Sequence, residues 1–323
     1  MRKTSQTANV NHLSTQPDKS GLLSTMATDI RRNGALYLVA LPGILYYIIF
    51  HYIPMYGVII AFKDYYGNLG IMGSEWVGLK HFQNFFGSIY AARVIKNTIV
   101  LNLYSLIFTF PVPIVLALLI NEVRQKAIKK AVQSITYLPH FISMVVICGM
   151  IVDFVSPTGF ITSILSQLGL VPQTNLLYEK EFYRAIYIIS DIWQTAGWSS
   201  IVYMAALSGL DMELYEAAAV DGAKKMRQMW HITLPGIAPT IVIMLILKIG
   251  SMMSLGADKT ILLYDPVNYE VSDIISSFIY RAGLLQSDQS YSAAVGLFNS
   301  AINCVLVYGA NRVSRMVSDM SLF

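Results

Sequence analysis

Residues 98–120 read TIVLNLYSLIFTFPVPIVLALLI, a run with no Asp, Glu, Lys, Arg or His. A bilayer hydrocarbon core about 30 Å thick takes about 20 apolar helical residues to cross, so this stretch reads as a membrane span. Pro111 and Pro113 lie inside it; neighbouring helices and local adjustments satisfy the carbonyls that proline frees, so kinks are expected there. Working outward, five more stretches are nearly free of charge: 35–62 with Pro42 and Pro54, 137–155, 185–210 with one acid, 238–255 with one base, and 293–311. The expected fold is an all-α membrane protein with six transmembrane helices.

Composition agrees. The 323 residues are 55% hydrophobic and 13% charged, against about 25% charge in a soluble domain, and mean hydropathy is +0.53. A net charge of +4 without a dense basic run gives no indication of a nucleic-acid surface. Cys148 and Cys304 both fall in apolar stretches, where cysteine behaves as a small hydrophobe, so neither a disulfide framework nor a metal site is expected. Residues 1–34 are polar and Ser/Thr-rich and lack the apolar core of a secretory signal. They read as a cytoplasmic tail, with a short amphipathic helix around 22–32 lying on the membrane surface. Residues 35–323 read as one membrane domain.

Orientation follows from basic residues beside the spans. Arg31 and Arg32 precede the first; Arg124, Lys126, Lys129 and Lys130 follow the second; Lys224, Lys225 and Arg227 follow the fourth; Arg312 and Arg315 follow the sixth. These segments share one side, the cytoplasm, and both termini are inside. The loops 63–96, 156–184 and 256–292 face outward.

Between the fourth and fifth spans, residues 211–236 read DMELYEAAAVDGAKKMRQMWHITLPG. Asp211 suits a helix N-cap, Glu213 and Glu216 suit the first turns, and the alanines favour continuation. Asp221-Gly222 is a stop-and-restart signal, with glycine taking the chain-reversing dihedrals and Asp capping the next helical segment. That second segment, 223–232, precedes Pro235, which opens the fifth span. Ala217, Ala218 and Ala219 permit close approach by another protein, and Glu216 offers it a carboxylate.

Glu216-Ala217-Ala218, then Gly222, then Ile232-x-Leu234-Pro235 resembles the "EAA" signature of permease subunits in binding-protein-dependent ABC importers, at every fixed position. The resemblance implies a type I importer permease fold. The loop would be a cytoplasmic coupling helix docked in an ATPase cleft, with Glu216, Ala217, Ala218 and Gly222 making the contact and Leu234 and Pro235 ending the loop. Residues 76–86, WVGLKHFQNFF, are similar to carbohydrate permeases of the maltose type. LPHFI at 138–142, YRAGL at 280–284 and YSAAVGLF at 291–298 resemble the subgroup importing fragments of polysaccharides such as alginate and pectin. The implied partners are a second permease subunit, two ATP-binding cassette ATPases that hold the ATP and Mg, an extracytoplasmic solute-binding protein, an oligosaccharide substrate and membrane lipid. The implied location is a bacterial inner or plasma membrane. No cofactor is expected in this chain, and it is not expected to be an enzyme: it contains no G-x-x-x-x-G-K-[ST], H-E-x-x-H or G-x-S-x-G.

Tyr187, Asp191, Gln194 and Trp198 recur at steps of four, three and four and share a helix face. An acid inside a membrane costs about 2.5 to 3.5 kcal/mol on insertion scales, so this face should meet a cavity or a partner. Carboxylate, amide and aromatic groups suit sugar hydroxyls and pyranose faces, and bonding between helices suits them equally. Lys248, followed by Ser251 and Ser254, is expected to pair with Asp191, with attraction of an acidic sugar or snorkelling as the alternatives. Asn299 and Asn303, four apart, line the same path or bond between helices. His140 reads as a packing or interfacial residue rather than a ligand, and Asp153 as water-exposed. The competing class is a secondary transporter driven by an ion gradient, which would favour inverted repeats, more helices and an intramembrane proton relay; one deep acid and no duplication are present.

Overall fold

A computed structural model describes Asp29, residues 32–254 and residues 256–317. The amphipathic helix expected at 22–32 lies outside these, Asp29 and Arg32 apart. The chain divides into two compact units, Met1–Gly57 and Val58–Phe323.

The first unit holds most of helix α1, Gly34–Phe62, which runs for 29 residues. Its turn Ile48–Tyr52 is wide, with the Ile53 amide bonded to the Ile48 carbonyl, immediately before Pro54. A proline ring collides with the carbonyl four residues back, and a five-residue turn relieves the collision without ending the helix. The same device recurs in the second unit. In α3, Ile89–Glu122, the wide turn Ser105–Thr109 precedes Pro111. In α8, Lys225–Gly250, the wide turn Met229–Thr233 precedes Pro235. The kinks expected at Pro54 and Pro111 thus coincide with widened turns, whereas Pro42 lies within regular helix.

The main remaining elements of the second unit, short helical turns and the connecting helix Phe160–Gln167 aside, are β1, Lys63–Asp64, paired antiparallel with β2, Glu75–Trp76; α2, Lys80–Gly87; α4, Lys126–Tyr137; α5, Met144–Phe154; α6, Lys180–Ser208; α7, Met212–Val220; α9, Ala257–Leu263; α10, Ile275–Leu285; and α11, Gln289–Val317. Among the described residues, four helices, α1, α3, α8 and α11, are long and apolar enough to cross a membrane, and five if the bent pair α4–α5 is one span. α6 matches α1 in length, with 29 residues, but Asp191, Gln194 and its serines and threonines make it more polar.

Two sequence expectations change. The third span, 137–155, is not one straight helix: α4 and α5 meet at 97°. Pro139 and an extended Ile142 interrupt the chain, and Ser143 caps α5 by accepting from the Val146 amide. Its 11 residues reach only about 16 Å. The fifth span starts at Lys225 rather than beyond Pro235, because the wide turn absorbs that proline and the helix passes through it.

α6 is central. One apolar cluster joins its Tyr183, Tyr187 and Ile188 to Ile147, Cys148 and Ile151 of α5 and Leu263 of α9. A second joins Tyr203 and Leu207 to Ile114 and Ala117 of α3 and Ile237 of α8. Gly197 lets α6 touch the end of α4: a Cβ there would lie 1.9 Å from the Thr136 carbonyl oxygen. A third cluster packs Phe85 of α2 with Val94 of α3, Phe278 of α10 and Val295 of α11.

Candidate functional site

The loop 211–236 folds as its residues dictate. The Asp211 carboxylate accepts from the Glu213 amide at 2.9 Å, opening α7. At the other end the Ala223 amide bonds to the Ala218 carbonyl at 2.8 Å and the Gly222 amide to Ala219 at 3.0 Å. Gly222 sits at φ +76. This is a glycine-terminated helix end with paired reverse hydrogen bonds, the arrangement that satisfies carbonyls left over at a C-terminus. Asp221 does not cap the next helix, contrary to the sequence expectation; Lys224 occupies that position and makes no side-chain cap.

α7 is tied to α8 by the hydroxyls of Tyr215 and Thr233, 3.0 Å apart, and the start of α8 is tied to the end of α3 by an ion pair between Lys225 and Glu122. Gly236 passes so close to Leu210 that a Cβ would meet its Cδ2 at 2.5 Å. Glu216, Ala217, Gly222 and Pro235 are exposed, while Ala218 and Leu234 are half-buried, Leu234 against the Tyr203–Ile237 cluster. Met212, Leu214 and Val220 are exposed as well, Val220 at 88%. The result is a short helix with an uncovered apolar and acidic surface, held on a rigid base.

The second feature is a cleft of about 560 Å³ between α3, α6, α8 and the start of α9, lined among others by Tyr187, Asp191, Tyr203, Lys248, Ser251, Asp258 and Lys259. It gathers four of the predicted path residues, Tyr187, Asp191, Lys248 and Ser251, and leaves four out. Trp198 stacks instead on His140, with ring centres 4.6 Å apart and planes within 4°. Gln194 is buried away from the cleft lining. The Asn299 amide donates to the Met253 carbonyl at 3.0 Å, and the Asn303 side-chain oxygen accepts from the Met253 amide at 3.0 Å. Both thus serve as bonds from α11 to the backbone after α8, where the end of that helix leaves groups unsatisfied. The Ser254 side chain lies outside the described residues. His140 is exposed with its ring stacked on Trp198, in keeping with a packing or interfacial residue, and Asp153 is exposed.

The expected Lys248–Asp191 pair is replaced. The ammonium nearest the Asp191 carboxylate is Lys259, at 3.7 Å. Lys259 is 2% exposed, donates to the Tyr187 carbonyl at 2.9 Å and sits over the Tyr187 ring, 4.6 Å from its centre. Gly256 makes this possible: at φ +76 it turns the chain into α9, and a Cβ would fall 1.9 Å from the Tyr187 hydroxyl oxygen. Lys259 reads in the sequence as a loop residue beyond the fifth span. The signal that marks it is its setting in GADKTILL, where Leu263, four residues on, keeps helical step with it.

A buried polar network also went unread. Asp273, fully buried, accepts two bonds from Arg281, at 2.7 and 3.1 Å, and one from Arg93 at 3.2 Å. Asn97 donates to the Glu270 and Asp273 carbonyls and accepts from Arg184. The YRAGL segment thus owes its arginine to a structural ion pair. Nearby, Lys80 and His81 of α2 clasp Asp64 at 2.6 and 3.1 Å, and the Lys80 hydrogen bond holds the Asp64 carboxyl below its ordinary value. Among the described residues, no group of three or more His, Cys, Asp or Glu is arranged to hold a metal ion.

This combination of apolar spanning helices and an exposed Glu-Ala-Ala helix ending at a left-handed glycine defines a membrane transport component. Residues 83–318 match the family of binding-protein-dependent transport system inner membrane components, and the chain belongs to that family. Among curated relatives, the polygalacturonan/rhamnogalacturonan transport system permease protein YteP of Bacillus subtilis is 46% identical over 291 residues, 89% of this chain and 90% of its own length. Protein LplB of the same organism is 42% identical over 302 residues, covering 93% of this chain and 94% of LplB. Among solved structures, a chain of a bacterial ABC transporter involved in the import of the acidic polysaccharide alginate superimposes with a TM-score of 0.84 at 43% identity, covering 91% of this chain and 99% of that one. A second structure of the bacterial alginate transporter, in complex with an alginate pentasaccharide-bound periplasmic protein, matches equally well.

Proposed function

We propose that this chain is one permease subunit of an ATP-driven importer that carries oligosaccharides released from acidic polysaccharides across a bacterial inner membrane. Its companions are a second, related permease, two ATPase subunits that bind ATP and Mg, and an extracytoplasmic binding protein that delivers the sugar. In this reading six segments cross the membrane, with α4–α5 and the polar α6 supplying the third and fourth, and both termini lie in the cytoplasm as in a type I importer. The observation that carries the reading is the helix Met212–Val220, exposed, N-capped by Asp211 and closed at Gly222, inside a chain of this family. Names of relatives that carry polygalacturonan and alginate support the substrate class.

The mechanism rests on the mechanics of the loop. ATP binding closes the ATPases, α7 moves with them, and the pins at Tyr215–Thr233 and Lys225–Glu122 pass the movement to α8 and α3, which wall the cleft. The permease pair then opens outward to accept sugar, and hydrolysis resets it, an equilibrium between two states shifted by differential binding. Glu216, Ala217, Ala218 and Gly222 make the ATPase contact, with Leu234 and Pro235 at its exit. The test is a cysteine at Ala217 paired with cysteines scanned across the ATPase cleft in the assembled complex, alongside Glu216→Ala in vesicles. Cross-linking that varies with ATP, and ATP hydrolysis that no longer responds to loaded binding protein, are expected. Absence of cross-links together with normal coupling in Glu216→Ala would overturn the assignment.

A further inference from the structure

Building on the oligosaccharide reading, we infer that Lys248 is the residue that selects carboxylate-bearing sugars, and that Lys259, its neighbour in the same cleft, is not. The cleft holds four charged side chains: Asp191, Asp258, Lys248 and Lys259. Lys259 is already engaged. It is almost fully buried, and the Asp191 carboxylate, the Tyr187 carbonyl and the Tyr187 ring occupy its ammonium. Lys248 lines the cleft wall from α8 and makes no ion pair among the described residues.

Position sharpens the contrast. Lys248 lies in the last turn of α8, two residues before the helix ends at Gly250, and its half-buried side chain lines the cleft. A half-buried ammonium in a membrane protein is expensive, and residues of this kind mark substrate pathways and face a partner charge; the Asp191 carboxylate attracts Lys248 but makes its ion pair with Lys259. Asp258 sits at the start of α9, exposed at the cleft margin, where a carboxylate accepts bonds from sugar hydroxyls. A uronate oligosaccharide offers both complements: carboxylates for Lys248 and hydroxyls for Asp258. A neutral sugar leaves Lys248 desolvated with only the Asp191 carboxylate that it shares with Lys259, which penalises that sugar in the way a buried under-paired group penalises a wrong ligand. The Asp191–Lys259 pair is then scaffold, holding Tyr187 and α9 in place while contributing no net charge.

The test uses the full complex in vesicles, loaded with its binding protein and offered trigalacturonate or its carboxyl-reduced counterpart. Lys248→Gln is expected to lower trigalacturonate uptake roughly tenfold to a hundredfold, the range of one charge-assisted hydrogen bond. Lys248→Arg should restore most of it, with assembled complex recovered in normal amounts for both variants, and Lys248→Gln should not reduce uptake of the carboxyl-reduced sugar. Wild-type uptake of trigalacturonate by Lys248→Gln would overturn the inference. So would an equal loss in Lys248→Arg or for the neutral sugar, or failed assembly of both variants, which would place a partner subunit's charge against Lys248. Uptake of neither sugar by the wild-type complex would instead remove the oligosaccharide reading, and this inference with it.

Discussion

Two glycines with the same backbone angle allow the steric reasoning to be tested in isolation. Gly222 and Gly256 both sit at φ +76, but a Cβ at Gly222 meets nothing within 4 Å, whereas one at Gly256 falls 1.9 Å from the Tyr187 hydroxyl oxygen. An L-residue in the left-handed region costs about 1–2 kcal/mol, so Gly222→Ala should lose about that much stability. Gly256→Ala carries the same cost plus overpacking of a filled site, about 1–3 kcal/mol, for a total of about 2–5 kcal/mol. Its damage is also directional: moving Tyr187 displaces both the carbonyl and the ring that hold Lys259. Unfolding of the purified chain by sodium dodecyl sulfate, monitored by tryptophan fluorescence, gives both values on one scale. If Gly256→Ala is no less stable than Gly222→Ala, the packing of Gly256 against Tyr187, and the cleft built on it, are wrong.

The buried and clasped charges lead to three further expected outcomes. Lys259→Met strands the Asp191 carboxylate and should cost about 3 kcal/mol, the lower end for a broken buried pair because Asp191 keeps 16% exposure. Lys259→Met with Asp191→Asn should recover part of that in the same titration, and strict additivity of the two losses would deny the pairing. Asp273→Ala leaves Arg93 and Arg281 beside each other without their carboxylate and should cost about 3–5 kcal/mol, with expression of folded protein as the first readout; near-normal yield and stability would contradict it. Because Asp64 is held below its ordinary pKa of 3.8, its contribution to the β1–α2 clasp is fully present above pH 3.8 and lost as pH falls through the lower folded value. Amide protection at residues 63–82, measured against the intrinsic exchange rate at each pH, should therefore hold at pH 4.5 and fall only in stronger acid; loss of protection between pH 6 and pH 5 would show that another group controls the clasp.

The order of the helices and the loop 211–236 were readable from the chain because their signals are local. An apolar run states its own solvent, and Asp211, the alanine run and Gly222 each act on backbone within a few residues. What escaped depends on distance along the chain. Asp191 had two lysines within plausible reach, and nothing in the sequence shows that α9 folds back to bring Lys259 rather than Lys248 to it; only the turn at Gly256, fitted to Tyr187, decides that. Asn299 and Asn303 have the spacing of a path but spend their amides on the backbone of Met253. The break at Pro139 was hidden because residues on both sides are apolar, so hydropathy stayed high while the axis turned by 97°. The converse error arose at Pro235, where a proline that reads as a helix start is carried by a widened turn.

In the proposed mechanism this chain moves solute only when a separate nucleotide-driven motor grips α7. The most direct measurement is trigalacturonate uptake into vesicles containing the purified permease pair and loaded binding protein, with the ATPase subunits and ATP either supplied or withheld. Uptake confined to vesicles that contain both ATPase and ATP is predicted. Uptake at a comparable rate without them, driven by an imposed ion gradient or by none, would contradict it.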